Sequence, residues 1–285
     1  MRLVRLYYNI FLQFLKSDNQ KKTITFFCKS LYGFLLLKIL FLAPALTDII
    51  SYLPLRHSWL QSILFAPAAL AQFSSWLFVS LFICLLALGL AIKINHYTAI
   101  LIFWASFSLS RLGQGFMNGS DLVLNLFLFL SIFFNVVSIS QREIRLAISN
   151  YAILFCRIQL VLIYLLSGYD KLLSIAWRSG DAIYSAQHLE FFVSERFTSI
   201  LSQSTYQYFA WMVIAFELLF PILIWVRKFR IPLLIMGVVF HLGIIIFLNL
   251  PDFGTIMILS YLIFYPFKER REHLTGSTNF QSVLS

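Results

Sequence analysis

Long apolar runs separated by short polar connections make up most of this 285-residue chain. About 20 apolar residues in a helix cross a hydrocarbon core of ~30 Å, and lipid favours helices because it leaves open strand edges without hydrogen-bond partners. Eight runs approach that length: 23–46, 74–92, 97–112, 122–139, 149–168, 206–226, 231–250 and 254–267. The pattern predicts an all-α polytopic membrane helix bundle with about eight transmembrane helices.

The polar segments around these runs divide the chain into three predicted regions. Residues 1–22 place apolar side chains at helical spacing between basic ones, which predicts an interfacial amphipathic helix or, alternatively, an extension of the first span. Residues 23–267 form the predicted transmembrane domain, and residues 268–285 a cytoplasmic, disordered tail. The outer connection 169–205 is too polar to span and too aromatic for a free linker, so we expect it to be partly helical, with a short amphipathic helix over 181–192.

The composition excludes several classes of protein. The chain is 60% hydrophobic and only 12% charged, whereas a soluble domain is about half apolar and a quarter charged. Its net charge of +10 lies in small clusters between apolar runs, without the continuous basic surface of a nucleic-acid-binding protein. The three cysteines lie in apolar stretches without CxxC or His/Cys ligand spacing, which favours buried thiols over disulfides or a metal site. No cleavable signal peptide is expected, because residues 1–22 lack a continuous apolar core.

The basic residues predict an orientation, because Lys and Arg concentrate in cytoplasmic loops. With the N-terminus in the cytoplasm, fourteen of the 22 basic residues fall in inside connections and five in outside ones. The inside set is Arg2, Arg5, Lys16, Lys21, Lys22, Lys93, Arg142, Arg145, Arg227, Lys228, Arg230, Lys268, Arg270 and Arg271. We therefore expect a multi-pass plasma-membrane protein with both termini cytoplasmic and the lipid bilayer as its principal partner.

Polar side chains inside apolar runs are costly in lipid and are functional candidates by default. Glu217 and His241 lie at matched depths on consecutive antiparallel spans, where they could share a proton or could each satisfy a proline-kinked helix. Arg157 lies ~12 Å from the inner end of its span, and Glu217 is the only acid within a predicted span. We therefore expect Arg157 and Glu217 to form a pair or to share an intramembrane polar network. Lys38, near the outer end of the first span, is expected to snorkel to the interface.

Lys171 follows the fifth apolar run. Twenty-two helical steps separate Ser149 from Lys171, a rise of ~33 Å that brings the lysine to the outer interface. Composition favours an interfacial anchor, but lysine is also the side chain that most readily becomes a base when it is desolvated. Ser167 and Gly168 lie on the same helical face and leave room there for a ligand or another helix.

Several short motifs resemble a known family. YLLSGYDKL at 164–172 and WRSGDAIY at 177–184 resemble the signature of the horizontally transferred transmembrane (HTTM) domain, and FELLFP at 216–221 and FHLG at 240–243 resemble its closing helices. That family includes vitamin K-dependent gamma-carboxylases and bacterial proteins that mature a sporulation-delaying peptide toxin. NGSD at 118–121 lacks the histidine that the carboxylases carry there, and we expect no large lumenal domain, so the resemblance is to the shorter bacterial branch.

The resemblance implies a site. In the carboxylases, the lysine of the G-x-x-K-L motif is the base that deprotonates reduced vitamin K, and that role maps to Lys171. The implied catalytic residues are Lys171 and His241, and the implied pocket contains Tyr164, Gly168, Trp177, Asp121 and Arg111. The implied cofactor is a quinone or a vitamin K-like hydroquinone, and the implied partners are a secreted peptide and neighbouring membrane proteins.

Two functional hypotheses follow. In the first, a bacterial inner-membrane protein acts at the outer leaflet on a secreted peptide or a lipid-soluble cofactor, with Lys171 as the base. In the alternative, the chain is a non-enzymatic membrane component, such as a transporter, an immunity factor or a scaffold subunit. Arg157, Glu217 and His241 would then mark a proton or substrate path. The sequence leaves open whether the chain is an enzyme.

Overall fold

A computed structural model describes residues 20–52, 66–92, 95–112, 119–134, 136–188 and 202–265. These residues form helices joined by turns and contain no β-strand, which confirms the predicted all-α class. The α-helices are α1 (Lys21–Tyr52), α2 (Ala66–Phe73), α3 (Ser75–Ala91), α4 (His96–Leu112), α5 (Gly119–Ser131), α6 (Arg142–Leu173), α7 (Ile175–Ser179), α8 (Asp181–His188), α9 (Gln203–Leu223), α10 (Arg227–Phe247) and α11 (Pro251–Ser260), and a 3-10 helix, η1 (Tyr261–Ile263), follows α11. Residues 1–19 of the predicted amphipathic segment and the predicted tail 268–285 lie outside the described residues.

Four helices of the described part of the chain are long and apolar enough to cross a bilayer. They are α6, α9, α10 and the Lys21–Ala45 part of α1. The other apolar segments form shorter helices, with 17 residues in α3 and in α4, 13 in α5 and 10 in α11, below the ~20 residues that a span requires. The four long helices indicate a membrane-embedded protein, whereas the crossing of all eight predicted segments stays a prediction.

The ends of the helices differ from the ends of the apolar runs. α6 has 32 residues, a rise of ~48 Å, and extends beyond the predicted run 149–168 on both sides. Charged side chains end an apolar run without ending a helix, so hydropathy underestimates the length of α6. α5 stops at Ser131 rather than at residue 139, because the next three amides bond to carbonyls only three residues back and tighten the last turn.

The close approach of α6 to α9 positions the site. The two helices pack side by side, and Gly168 of α6 lies at their contact. A Cβ added at Gly168 would lie 3.0 Å from the Cβ of Glu217 and 3.1 Å from the side chain of Leu218. Because this spacing is tighter than ordinary van der Waals contact, a larger side chain at position 168 would push the helices apart.

Two short helices after α6 pack against the start of α9. The side-chain amide of Gln203 donates to the Ser179 carbonyl at 3.0 Å and to the Asp181 carboxylate at 2.7 Å, and the ring of Tyr184 packs edge-on against Tyr206. α7 and α8 confirm that the connection 169–205 is partly helical. The predicted helix over 181–192 is observed as far as residue 188, and residues 189–201 lie outside the described residues.

Gly180 is the position in this connection that is least tolerant of a side chain. Its φ of 89° lies in the left-handed region, and an added Cβ would lie 2.5 Å from the backbone nitrogen of Gln207. We expect Gly180→Ala to lower the free energy of unfolding by about 1–3 kcal/mol, measured by thermal unfolding in detergent. Gly33→Ala is the matched control, because a Cβ at this helical position has no atom within 4 Å. Equal unfolding temperatures for the two variants would contradict the prediction.

Candidate functional site

Lys171 of α6 forms an ion pair with Glu217 of α9. The Lys171 Nζ lies 2.9 Å from Oε1 and 2.8 Å from Oε2 of Glu217. The lysine side chain is 16% exposed and the glutamate side chain 7% exposed, and both residues belong to helices long enough to span a membrane. Because removing charges from water costs several kcal/mol per ion, this close geometry is required to keep the pair inside the protein. Lys171 is therefore an internal group and not an anchor that extends into water.

Neighbouring residues of the same stretch surround the amine. The Lys171 side chain runs back toward the N-terminus of its helix, as helical side chains do, and Nζ donates to the Ser167 hydroxyl one turn earlier at 2.5 Å. The ring of Trp177, on α7, lies 4.9 Å from Nζ, within cation–π distance. Gly168 and Trp177 thus lie beside Lys171 in space, while a role for either residue in a reaction stays a prediction.

A second polar group, the tyrosine–histidine chain, comprises Tyr261, Tyr164 and His241. The Tyr164 hydroxyl lies 2.7 Å from Nε2 of His241 and is hydrogen-bonded to the Tyr261 hydroxyl. All three residues are at most 4% exposed. Nδ1 of His241 has no hydrogen-bond partner among the described residues. A buried line of hydrogen-bonded side chains therefore runs from Tyr261 through Tyr164 to His241.

Aromatic rings and one glycine hold this chain in place. The Tyr164 ring packs against Phe220 with centroids 4.2 Å apart, and the His241 ring meets Phe253 edge-on at 5.9 Å. A Cβ at Gly237 of α10 would lie 2.6 Å from Cζ of Tyr261, so the absence of a side chain at position 237 makes room for the tyrosine. The rings exclude water and fix the orientation of the hydrogen-bonding atoms.

Arg157 lies apart from this site, and the predicted Arg157–Glu217 pair is wrong. Nε of Arg157 donates to the Ile263 carbonyl at 2.8 Å, and Nη2 donates to the Gln20 side chain at 3.0 Å. Eleven residues separate Arg157 from Gly168, at the level of Glu217, which corresponds to ~16 Å along the helix. Depths estimated from sequence placed both charges in the same layer, but Arg157 lies near the middle of α6, whereas Glu217 packs near its C-terminal end.

Lys38 does not snorkel but joins two partly buried carboxylates of neighbouring helices. Its Nζ lies 2.7 Å from Oδ1 of Asp121 and 2.8 Å from Oδ2 of Asp252. Asp121 is in the first turn of α5 and Asp252 in the first turn of α11, where the positive ends of the helix dipoles stabilise negative charge. The Lys38 cluster (Lys38, Asp121 and Asp252) therefore joins three helices, and Asp121 contacts Lys38 rather than the implied pocket around Lys171.

Of three further polar residues, Arg111 was predicted from the sequence, whereas Tyr261 and Asp252 were not. Arg111 lies in the last turn of α4, and its side chain lies outside the described residues. Sequence reasoning missed Tyr261, which reads as an ordinary aromatic residue inside the run 254–267. It also missed the contact of Asp252 with Lys38; an acid directly after a proline at a helix start was the available signal.

Comparisons with known proteins add no relative. No family model matches the chain, and neither a curated protein nor a solved structure does. Within the described residues, no group of three or more His, Cys, Asp and Glu side chains is placed to hold a metal ion. The chemistry of the site therefore carries the functional argument.

The Lys171–Glu217 pair brings an amine and a carboxylate to hydrogen-bond distance, one proton transfer apart. An amine and a carboxylate at hydrogen-bond distance in a low-dielectric interior exist as a charged pair or, after one proton transfer, as a neutral amine and a carboxylic acid. The neutral amine is a base. Leu166, Leu173 and Ile175 are 59%, 60% and 75% exposed, so a lipid-soluble molecule can approach this end of α6 over an apolar surface.

Proposed function

We propose that the chain is an integral membrane protein in which Lys171 removes a proton from an acidic hydroxyl group of a lipid-soluble cofactor. The observation that carries the proposal is the contact of Lys171 Nζ with both carboxylate oxygens of Glu217, between helices long enough to span a membrane. The amine becomes neutral when its proton moves to Glu217, which is then a carboxylic acid. The neutral amine accepts the hydroxyl proton and becomes an ammonium ion again, while the cofactor becomes an oxyanion. The ammonium ion remains hydrogen-bonded to Glu217.

A hydroquinone is the cofactor class that we propose. It combines an apolar ring, which suits the exposed aliphatic surface of α6 and the ring of Trp177 above the amine, with a phenolic proton that a desolvated amine can remove. The HTTM-like motifs around Lys171 imply a reduced naphthoquinone and the maturation of a secreted peptide. We include both in the proposal as the wider role of the protein.

The proposed membrane arrangement places this chemistry at the outer leaflet. Each of the eight predicted apolar segments contains a helix, and we propose that the shorter helices complete the crossing together with their flanking turns. The excess of basic residues in one set of connections supports cytoplasmic termini in a bacterial inner membrane. Lys171, in the last turn of α6, then lies on the side of the secreted peptide.

Lys171→Arg tests the proposed role of the amine. Arginine preserves the positive charge and a two-point contact with a carboxylate, but its guanidinium does not release a proton. Purified protein in lipid nanodiscs is mixed with menadiol under argon, and the absorbance of the deprotonated naphthol is recorded near neutral pH. We expect the wild type to produce the anion and Lys171→Arg to produce it at least ~100-fold more slowly.

Lys38→Arg is the matched control, because it makes the same exchange at a partly buried ion pair outside the proposed site. We expect this variant to deprotonate menadiol like the wild type. If Lys171→Arg, folded as judged by its unfolding temperature, also equals the wild type, Lys171 joins the helices without acting as a base. The non-enzymatic alternative would then replace the proposal.

A further inference from the structure

Four helix ends meet around Arg157, although this residue lies near the middle of α6. Gln20, the residue before α1, accepts a hydrogen bond from Nη2 at 3.0 Å, and Ile263, the last residue of η1, accepts one from Nε at 2.8 Å. The Phe264 ring lies 5.7 Å from Cζ and packs edge-on against Trp225, between α9 and α10, with centroids 5.4 Å apart. Because α1, α9 and α10, all of membrane length, begin or end at this level, it marks one boundary of the apolar layer.

The Arg157 guanidinium has more hydrogen-bond donors than the protein uses. A guanidinium carries five N–H groups, and two of those of Arg157 donate to the oxygens of Gln20 and Ile263, both of which are uncharged. The other N–H groups have no acceptor in the described part of the chain, and no described carboxylate forms an ion pair with this arginine. Since a guanidinium does not lose its charge in a protein, Arg157 requires an anion from elsewhere.

Three more cations lie in the adjoining turn. Arg227, Lys228 and Arg230 all belong to the start of α10, whose first turn contains no acid, and none of them forms an ion pair with a described residue. Nε of Arg230 donates to the Ile224 carbonyl at 3.3 Å, which holds this guanidinium against the turn that contains Trp225. Because like charges repel, these cations together with Arg157 destabilise this end of the bundle unless an anion binds there.

Apolar side chains lie among these cations. Trp225, Val226, Phe229 and Ile231 are all exposed, so the turn presents positive charge beside an apolar surface at the boundary of the membrane. An anion with hydrocarbon chains contacts both parts of this surface, whereas inorganic phosphate contacts only the charges. Basic pockets between membrane helices bind anionic lipid headgroups, and a guanidinium donates two parallel hydrogen bonds to phosphate oxygens.

We propose that the basic patch, formed by Arg157, Arg227, Lys228 and Arg230, binds the phosphate headgroup of an anionic phospholipid. The two guanidinium groups of Arg157 and Arg230 donate to phosphate oxygens, and the exposed apolar side chains of the turn contact the acyl chains. The lipid supplies the missing negative charge and joins α6 to the turn between α9 and α10. The patch is independent of the proposed base, because Lys171 lies in the last turn of α6.

Lipid titration of the full-length protein in a neutral detergent tests the patch. The probes are short-chain phosphatidylglycerol, short-chain phosphatidylcholine, inorganic phosphate and polyglutamate, and thermophoresis measures their affinities at one ionic strength. We expect phosphatidylglycerol to bind at least ~5-fold more tightly than each other probe, because it alone combines net negative charge with acyl chains. Arg157→Gln and Arg230→Gln are each expected to weaken its binding about 5-fold. Arg178→Gln is the control, because Arg178 is exposed on α7 outside the patch, and we expect it to match the wild type.

Each other outcome overturns the proposal. Equal affinities for the two lipids would show that the charge of the headgroup is not recognised. Equal binding of inorganic phosphate would indicate a soluble anion, and equal binding of polyglutamate an acidic protein. If Arg178→Gln weakens phosphatidylglycerol binding as much as Arg230→Gln does, the attraction is general to a basic protein and the patch is not a site. Arg230→Gln decides alone if Arg157→Gln does not fold, because Arg230 belongs to a largely exposed turn.

Discussion

Replacing Glu217 with leucine is expected to destabilise the protein by about 3–5 kcal/mol, the largest loss that we expect from a single substitution in α9. The substitution leaves the Lys171 ammonium, whose side chain is 16% exposed, without its carboxylate partner between two membrane-length helices. The loss is measured as the shift in the midpoint of detergent-induced unfolding. The double variant Lys171→Met/Glu217→Leu is expected to recover most of it, because no unpaired charge is left inside.

Asp170→Asn is the control for this prediction. Asp170 is adjacent to Lys171 in sequence but is exposed, and an exposed substitution of this kind changes stability by about 0.5 kcal/mol or less. A Glu217→Leu protein as stable as Asp170→Asn would show that the ion pair contributes nothing to the contact between α6 and α9. A double variant that remains as unstable as Glu217→Leu would assign the loss to packing rather than to charge.

Replacing Lys38 with methionine is expected to have a similar effect, at most about 3–5 kcal/mol, at the partly buried Lys38 cluster. Methionine fills much of the volume of the lysine side chain but leaves Asp121 and Asp252, both within 2.8 Å of Nζ in the native protein, without a shared cation. The helix N-termini offset part of this charge, which sets the lower end of the range. Thermal unfolding in detergent measures the loss.

Two further variants separate charge from volume at this cluster. Adding Asp121→Asn and Asp252→Asn to Lys38→Met removes both carboxylate charges and is expected to restore most of the stability. Lys29→Met makes the same exchange on the same helix, where the lysine forms no ion pair with the described residues, and it is expected to cost nothing. If Lys38→Met equals Lys29→Met, the Lys38 cluster does not join the three helices energetically.

The helical class and the positions of the apolar helices could be predicted from hydropathy alone. Apolar side chains must face lipid or the core, and a backbone in lipid must satisfy its own hydrogen bonds, so long apolar runs become helices. The ends of helices could not be predicted in this way. The charged first turn of α6 is still helical, and α5 stops while the sequence remains apolar, because backbone hydrogen bonds rather than hydropathy end a helix.

The sequence predicted which residues belong to the candidate site better than it predicted which of them are in contact. Lys171, Glu217 and His241 stood out because polar groups are rare in apolar runs. Their partners could not be predicted from the depth of each residue along its helix. Depth does not determine how a helix is rotated about its axis or in which direction a side chain points. The pairing with Lys171 rather than Arg157 arises where Gly168 admits Glu217, and Tyr261 enters the site only because α11 and η1 pack back against the bundle.

Hydrophobic patterning alone therefore specifies a helical, lipid-embedded chain and marks its unusual polar residues, since both depend on composition along a local segment. Side-chain pairing depends on which helical faces meet, and that is decided by contacts between residues far apart in sequence. Lys171 and Glu217 are 46 positions apart in the sequence, and Lys38 and Asp121 are 83 positions apart. Only the packing of the helices brings the members of each pair into contact. Tertiary structure thus determines whether an amine reaches water, an acid or a second helix, and with it the chemistry that the amine can perform.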